Sequence, residues 1–169
     1  MSASPRRRAT PSPRSPVLDV LIPGMKRLRL RHLVLDFNGT LACDGRLHRG
    51  VVAKLNSLRR TLALEVLTGD TFGTAGPALR RAGIPYTVIS RGTDKAGRVT
   101  TLGGAGVVAI GNGRNDVAMF RVAAVSICVL GPEGASPEAL AASDIVVPSI
   151  AAALDLLLKP TRLIASLRR

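Results

Sequence analysis

Four apolar runs in this chain end in residues able to do chemistry. The first, Leu33-Val34-Leu35-Asp36-Phe37-Asn38-Gly39-Thr40, closes an aliphatic stretch with a carboxylate and a glycine turn. An aspartate held there, with backbone bent around it, is a candidate nucleophile or metal ligand. The second, Val66-Leu67-Thr68-Gly69-Asp70-Thr71, ends in a hydroxyl that can donate to an anion, although the same residues also make a good helix cap. The third carries Lys95, in Arg91-Gly92-Thr93-Asp94-Lys95-Ala96. A lysine in a helix's first turn opposes the dipole, so its presence points to a phosphate or an anionic intermediate, with a solvent-facing side chain as the plain alternative. The fourth, 107–116, flanks Asn112 with Gly111 and Gly113 and places Asp116 at the start of the next helix. Glycines let backbone approach a ligand closely, and the oxygens of Asn112 and Asp116 suit a hard cation such as magnesium.

The elements needed to bring these four together follow from periodicity. Strands are expected over 17–22, 30–37, 62–67, 86–89, 107–110, 125–130 and 145–147. Helices are expected over 50–60, 73–82, 95–102, 115–123, 137–142, 151–158 and 162–167. Short, wholly apolar strands alternating with helices imply an α/β fold, a mainly parallel sheet covered on both faces in three αβα layers. In such sheets ligands lie at the carboxyl ends of the strands, where all four candidate sites fall.

Composition narrows the classes. With 169 residues and 46% hydrophobic content the chain can build one core, whereas aromatic residues are only 2%. That scarcity argues against a nucleic-acid binder that stacks bases on aromatic platforms. No run approaches the ~20 apolar residues of a membrane span. Cys43 and Cys128 are too few for a disulfide framework and read as small core residues, which with the lack of a secretory signal favours a cytoplasmic protein. Net charge is +13, and residues 1–32 hold eight bases against one acid. Such a charge could draw the chain to anions, or could simply reflect the coding bias of its source. Residues 1–16, rich in Pro, Ser and Arg, read as a disordered basic tail, leaving 17–169 as a single domain.

The constellation of Asp36-Phe37-Asn38-Gly39-Thr40, Thr68, Lys95 and Gly111-Asn112-Gly113-Arg114-Asn115-Asp116 resembles the haloacid dehalogenase-like (HAD) phosphohydrolase superfamily over about residues 30–158. Leu67-Thr68-Gly69-Asp70, 108–116 and 135–147 are most similar to the phosphorylation domain of P-type ATPases. With no membrane span, the likeness is to a soluble branch. The resemblance implies a Rossmann-like fold and a Mg²⁺-dependent phosphatase in which Asp36 forms an aspartyl-phosphate. Magnesium would be held by Asp36, the backbone carbonyl of Asn38, Asn112 and Asp116. Thr68, Gly69, Lys95 and Asn115 would hold the phosphorylated small-molecule substrate.

Two positions depart from the family pattern. Asn38 stands where related phosphatases usually carry an acid/base Asp, so turnover should be slow; such help is worth about 10²–10⁴-fold. Asn112 stands where an Asp usually ligates the metal, so magnesium should bind more weakly. The alternative is a catalytically silent module that binds nucleic acid or a phosphorylated partner. Neither 37–67 nor 69–94 has room for an inserted cap domain; only 41–48, with its Asp44-Gly45 turn, can fold over the site. Capless relatives are often oligomers, which implies a dimer or tetramer whose neighbouring subunit covers the opening. His48, in that short segment, is a minor candidate for the site, and His32 reads as structural.

Overall fold

The computed structural model describes residues 17–24, 27–70 and 73–168; the basic tail expected over 1–16 lies outside them. Six strands form the central sheet: β3 (His32–Leu35), β6 (Ala63–Thr68), β7 (Tyr86–Val88), β8 (Val107–Gly111), β9 (Val125–Val129) and β10 (Ile145–Val147). Their order is β10-β9-β8-β3-β6-β7, and every pairing is parallel, as the apolar runs require. β3 lies near the middle, with Leu35 beside Val66 on one side and Ile110 on the other. The strand end that carries Asp36 is therefore flanked by the ends that carry Thr68 and Asn112.

Side-chain alternation divides the core into two aliphatic layers. Leu33 and Leu35 pack with α1 (Val51–Leu58) and α6 (Ile150–Leu158), and Leu79 of α2 (Ala75–Arg81) joins them. Val34 and Leu67 pack on the opposite face with α3 (Gly92–Thr101), α4 (Val117–Val122) and α5 (Pro137–Ala142). α7 (Pro160–Leu167) completes the first layer through Leu163. Ser136 and Ser149 cap α5 and α6 by accepting from Ala139 N and Ala152 N, the first with Pro137 in the helix's opening turn.

Four expectations are corrected. The apolar stretch 30–37 is not one strand: β2 (Arg27–Leu30) turns back on β1 (Leu18–Leu21) as an antiparallel hairpin outside the main sheet. The first α3 residue is Gly92, not Lys95, because Asp94 accepts from Arg91 N and so anchors an earlier turn. Residues 114–116 form a 3₁₀ turn, and α4 begins only at Val117. α2 starts at Ala75 rather than 73, its first amide donating to Asp70. Within the segment 41–48, β4 (Ala42–Cys43) and β5 (Arg46–Leu47) form a short hairpin around the Asp44-Gly45 turn. No inserted domain interrupts the described residues.

Candidate active site

Asp36 continues the alternation of β3 onto the α3–α4 face, and its amide donates to Ile110 O of β8 at 2.9 Å. Lys95, one turn into α3, reaches it: Nζ donates to Asp36 Oδ1 and to Asp116 Oδ1, both at 2.6 Å. The lysine is fully buried and both carboxylates nearly so, at 0% for Asp116 and 9% for the Asp36 side chain. The solvent-facing alternative for Lys95 is excluded. The helix dipole's demand for an acid is met by Asp94, which leaves Lys95 to point inward. Arg98, three residues further along α3, forks onto both oxygens of Glu65 in β6 at 2.8–3.0 Å and ties the helix to the sheet.

One ammonium between two buried carboxylates leaves a net negative charge in a dry place. Burial first, then the charge of Asp116, raises Asp36 from its ordinary value to about 7, with Lys95 pulling the other way. Burial works against the charge on Lys95, yet the charges and hydrogen bonds of Asp36 and Asp116 outweigh it and hold the amine above its ordinary value. A further cation would relieve this imbalance.

The loop after β8 is organised by Asp116. Its Oδ2 accepts from the amides of Asn112 and Gly113, both at 2.9 Å, while Oδ1 serves Lys95. Gly111 must be glycine, since a Cβ there would stand 2.4 Å from Asp116 Oδ2. Asn112 is set from two sides: Thr40 Oγ1 donates to its Oδ1 at 3.1 Å, and its Nδ2 donates to Gly134 O at 2.9 Å. Thr68, 1% exposed, accepts from Asp70 N at 3.0 Å, so its own O–H is available to donate to an anion. Asn115 is exposed beside Gly92 at the mouth.

The sheet edge thus gathers Asp36, Thr68, Lys95, Asn112 and Asp116, with Asn38 two residues past the nucleophile candidate. His48 lies off this cluster, in a small cavity of about 200 Å³ with Arg49 and Ser149. Cys128 is buried, whereas Cys43 is half-exposed on the hairpin beside Asp44 and Glu133 rather than in the core. Sequence reading missed Thr40, although it stands in the motif, and the carbonyl of Gly134, for which no local signal exists.

The structure is a parallel three-layer αβα fold with a buried Asp–Lys–Asp cluster at the carboxyl edge of its sheet. The model for haloacid dehalogenase-like hydrolases matches residues 86–153, and the chain belongs to that family. An uncharacterized protein of Methanocaldococcus jannaschii is 50% identical over 62 residues, 37% of this chain and 67% of that protein. A Streptomyces avermitilis protein described as a HAD family hydrolase is 25% identical with a TM-score of 0.60, covering 82% of this chain and 84% of its own. The 3-deoxy-D-manno-octulosonate 8-phosphate phosphatase of Moraxella catarrhalis, solved with magnesium and phosphate, shares the fold at 18% identity and a TM-score of 0.64. It covers 82% of this chain and 94% of its own. The catalytic domain of the CPx-ATPase CopB-B also shares the fold, at 24% identity and a TM-score of 0.56, over 66% of this chain and 46% of its own. No helix among the described residues is long and apolar enough to cross a membrane.

Proposed function

We propose that the chain is a slow, Mg²⁺-dependent phosphohydrolase acting on a phosphorylated small molecule, with Asp36 as nucleophile. The observation that carries this reading is the buried Lys95 ammonium 2.6 Å from both Asp36 and Asp116 at the end of the central strands. Phosphoryl transfer asks mainly for an aligned nucleophile and clustered positive charge, and Thr68 and Lys95 flank the nucleophile for that purpose.

Asp36 attacks phosphorus, forming an Oδ–P bond as the bond to the leaving alkoxide breaks. The alkoxide takes its proton from water, because Asn38 has none to give. A water then attacks the phosphorus of the acyl phosphate, the Oδ–P bond breaks, and inorganic phosphate leaves with Asp36 restored. Both half-reactions lack a titrating group at position 38, which makes the reaction slow.

The donor set fits magnesium: hard oxygens around a pair of carboxylates that carries an excess negative charge. Asp36, the Asn38 carbonyl and Asn112 would hold the ion. Asp116 would be the fourth ligand, and by accepting from Lys95 and from the amides of Asn112 and Gly113 it also positions Lys95 and the loop that carries Asn112. Bound magnesium supplies positive charge against the phosphoryl oxygens. The protein's setting is read as cytoplasmic, and its assembly as a dimer or tetramer.

The test is phosphate release from p-nitrophenyl phosphate and acetyl phosphate. Asp36→Asn abolishes it, and Asn38→Asp raises kcat about 10²-fold or more. Unchanged release by the Asp36 variant refutes the reading. A second reading, a silent module binding a phosphorylated partner or nucleic acid, is favoured by Asn38 itself. It predicts salt-dependent binding without metal-dependent turnover in either protein.

A further inference from the structure

Charge in this chain is sorted along the strand axis. Acids gather at the carboxyl edge of the sheet: Asp36, Asp70, Asp116 and Glu133 follow strands, and Asp94 and Glu138 stand in the first turns of α3 and α5. Arginines gather at the opposite edge, where helices end and strands begin. Arg80 and Arg81 close α2, and Arg121 closes α4. Arg59 and Arg60 follow α1, while Arg29 and Arg31 lead into β3. Asp19 and Glu65, the acids of β1 and β6, are spent on Arg27 and Arg98. Arg29, Arg31, Arg60, Arg81 and Arg121 are exposed and make no ion pair among the described residues.

These bases form one band, continuous by contact. Val122, next to Arg121, lies against Gly104 in the turn before β8, and Gly106 of that turn accepts from Arg31 N at 2.7 Å. Arg31 O accepts from Ala63 N at 2.8 Å, where β6 begins just beyond Arg60. Arg59 Nη2 donates to Gly83 O, in the turn between Arg81 and β7. The band therefore crosses the amino ends of four neighbouring strands, β8, β3, β6 and β7, about 15 Å at the usual strand spacing. His32, at the start of β3, registers its field. Burial first, then the charge of Arg98 and further on that of Arg31, hold the imidazole below its ordinary value, while Glu65 pulls the other way. A base in a helix's last turn offsets the helix dipole, which accounts for Arg80, Arg81 and Arg121. No helix ends at Arg29 or Arg31, so that reason does not reach them.

We propose that this amino-edge band binds the phosphate backbone of double-stranded nucleic acid, on the pole of the molecule opposite Asp36. Every cation in it is an arginine, whose planar fork matches a phosphate bidentately. A band of about 15 Å faces roughly four successive phosphates of one strand, so the occupant is an extended anion and not a single one. It is a duplex because unpaired bases ask for ring faces to stack on, and Tyr86, the aromatic nearest Arg80, is half-buried with its hydroxyl accepting from that arginine. An anionic membrane asks for apolar or aromatic anchors beside the bases, and among the described residues Val122 is the one large apolar side chain that the band exposes. Asp36 lies at the other end of the strands, so binding here neither needs nor blocks phosphate release.

Fluorescence anisotropy of a labelled DNA duplex of about 20 base pairs, titrated with the full chain between about 0.05 M and about 0.3 M salt, tests this. The expected slope of log affinity against log salt is about −4 or steeper, close to one unit for each phosphate contact. The joint variant Arg29→Gln, Arg31→Gln, Arg60→Gln loses about tenfold or more in affinity and flattens the slope by about two to three units. A control, Arg46→Gln, Arg49→Gln, Arg91→Gln, removes the same charge from exposed positions on the Asp36 side and costs less than about threefold. Equal losses in the two variants mean bulk charge alone and overturn the proposal, as does a wild type that fails to bind at the lowest salt. Vesicles of phosphatidylserine and phosphatidylcholine are the second probe. Tighter binding to them than to the duplex, dependent on the same three arginines, overturns the proposal in favour of a membrane. Proton NMR of the wild type needs no variant: added duplex moves the titration of His32 to higher pH and leaves the signals of His48 in place, and the reverse overturns the proposal. The Arg29, Arg31, Arg60 variant keeps wild-type phosphate release, so the two readings stand or fall separately.

Discussion

Asp36 sits where its charge is least welcome. The side chain is nearly sealed from water, beside a second carboxylate, and a single ammonium is shared between the two. Its folded value of about 7 lies far above the ordinary 3.8, so folding favours the protonated acid. The linkage has one sign: the stabilising contribution of this group is fully present below about pH 4 and is lost as pH rises through about 7. Asn at this position accepts from Lys95 and never ionises. Asp36→Asn should therefore raise the melting temperature at pH 8 in the presence of a chelator, and the gain should shrink toward pH 4. For a chain of this size each kcal/mol moves the midpoint by about 2–4 °C, so a rise of several degrees is expected. Thermal melts of both proteins from pH 4 to 8 decide it; a variant less stable than wild type at pH 8 would mean that Lys95 alone neutralises the pair. Added magnesium should then restore the wild type more than the variant, because only the wild type offers it a carboxylate. Under the proposed reading, the residue is least stable in the state in which it would attack phosphorus, as at an active site held in place by the rest of the fold.

The short elements around the sheet edge hold that residue in place. Gly39 has φ +74°, and a Cβ there would lie 2.3 Å from Asn112 Nδ2. Gly39→Ala thus combines backbone strain with a clash that lifts Asn112 off Thr40 and Gly134. The expected cost is about 1–3 kcal/mol in urea unfolding, with a loss of phosphate release and a higher magnesium requirement. Gly50 separates the two causes, since it has φ +78° and nothing within 4 Å of a built Cβ. Gly50→Ala should show the strain in unfolding and leave turnover alone. Equal loss of activity in both would mean that Asn112 plays no part. The strand ends and the Asp44-Gly45 turn were legible in the sequence because an apolar run stopped by glycine is a local signal. Residues 137–142 and 145–147 form the helix and strand their pattern predicts. The hairpin of β1 and β2 was not legible, because Leu30 runs on into a second apolar stretch and only pairing with Leu18 separates them. Nor was the start of α3, where glycine and threonine give no helical signal and the anchoring contact comes from Asp94. The setting of Asn112 joins residues 72 and 22 positions away, a distance that spacing rules do not reach.

At the scale of the whole molecule, charge and shape oppose each other. The chain carries +13, enough to repel a second copy at low ionic strength. Shape favours association: the outermost strands of the sheet, β7 and β10, leave Val88 57% and Val146 46% exposed, and the active-site mouth has only a six-residue hairpin beside it. Screening separates the two effects, because repulsion between copies is long-ranged and apolar contact is not. Sedimentation equilibrium at about 0.05 M and about 0.5 M salt, roughly a threefold change in screening length, should therefore show dissociation at low salt and a dimer or tetramer at high salt. Activity gives the functional half of the same test. If a neighbouring subunit covers the mouth, kcat rises with protein concentration at intermediate salt, where the equilibrium is poised, and stays flat at the two extremes. A monomer at both salts would leave the mouth open in solution, and under the proposed reading the substrate's own bulk would be the remaining means of keeping water from the Asp36–phosphorus bond as it forms.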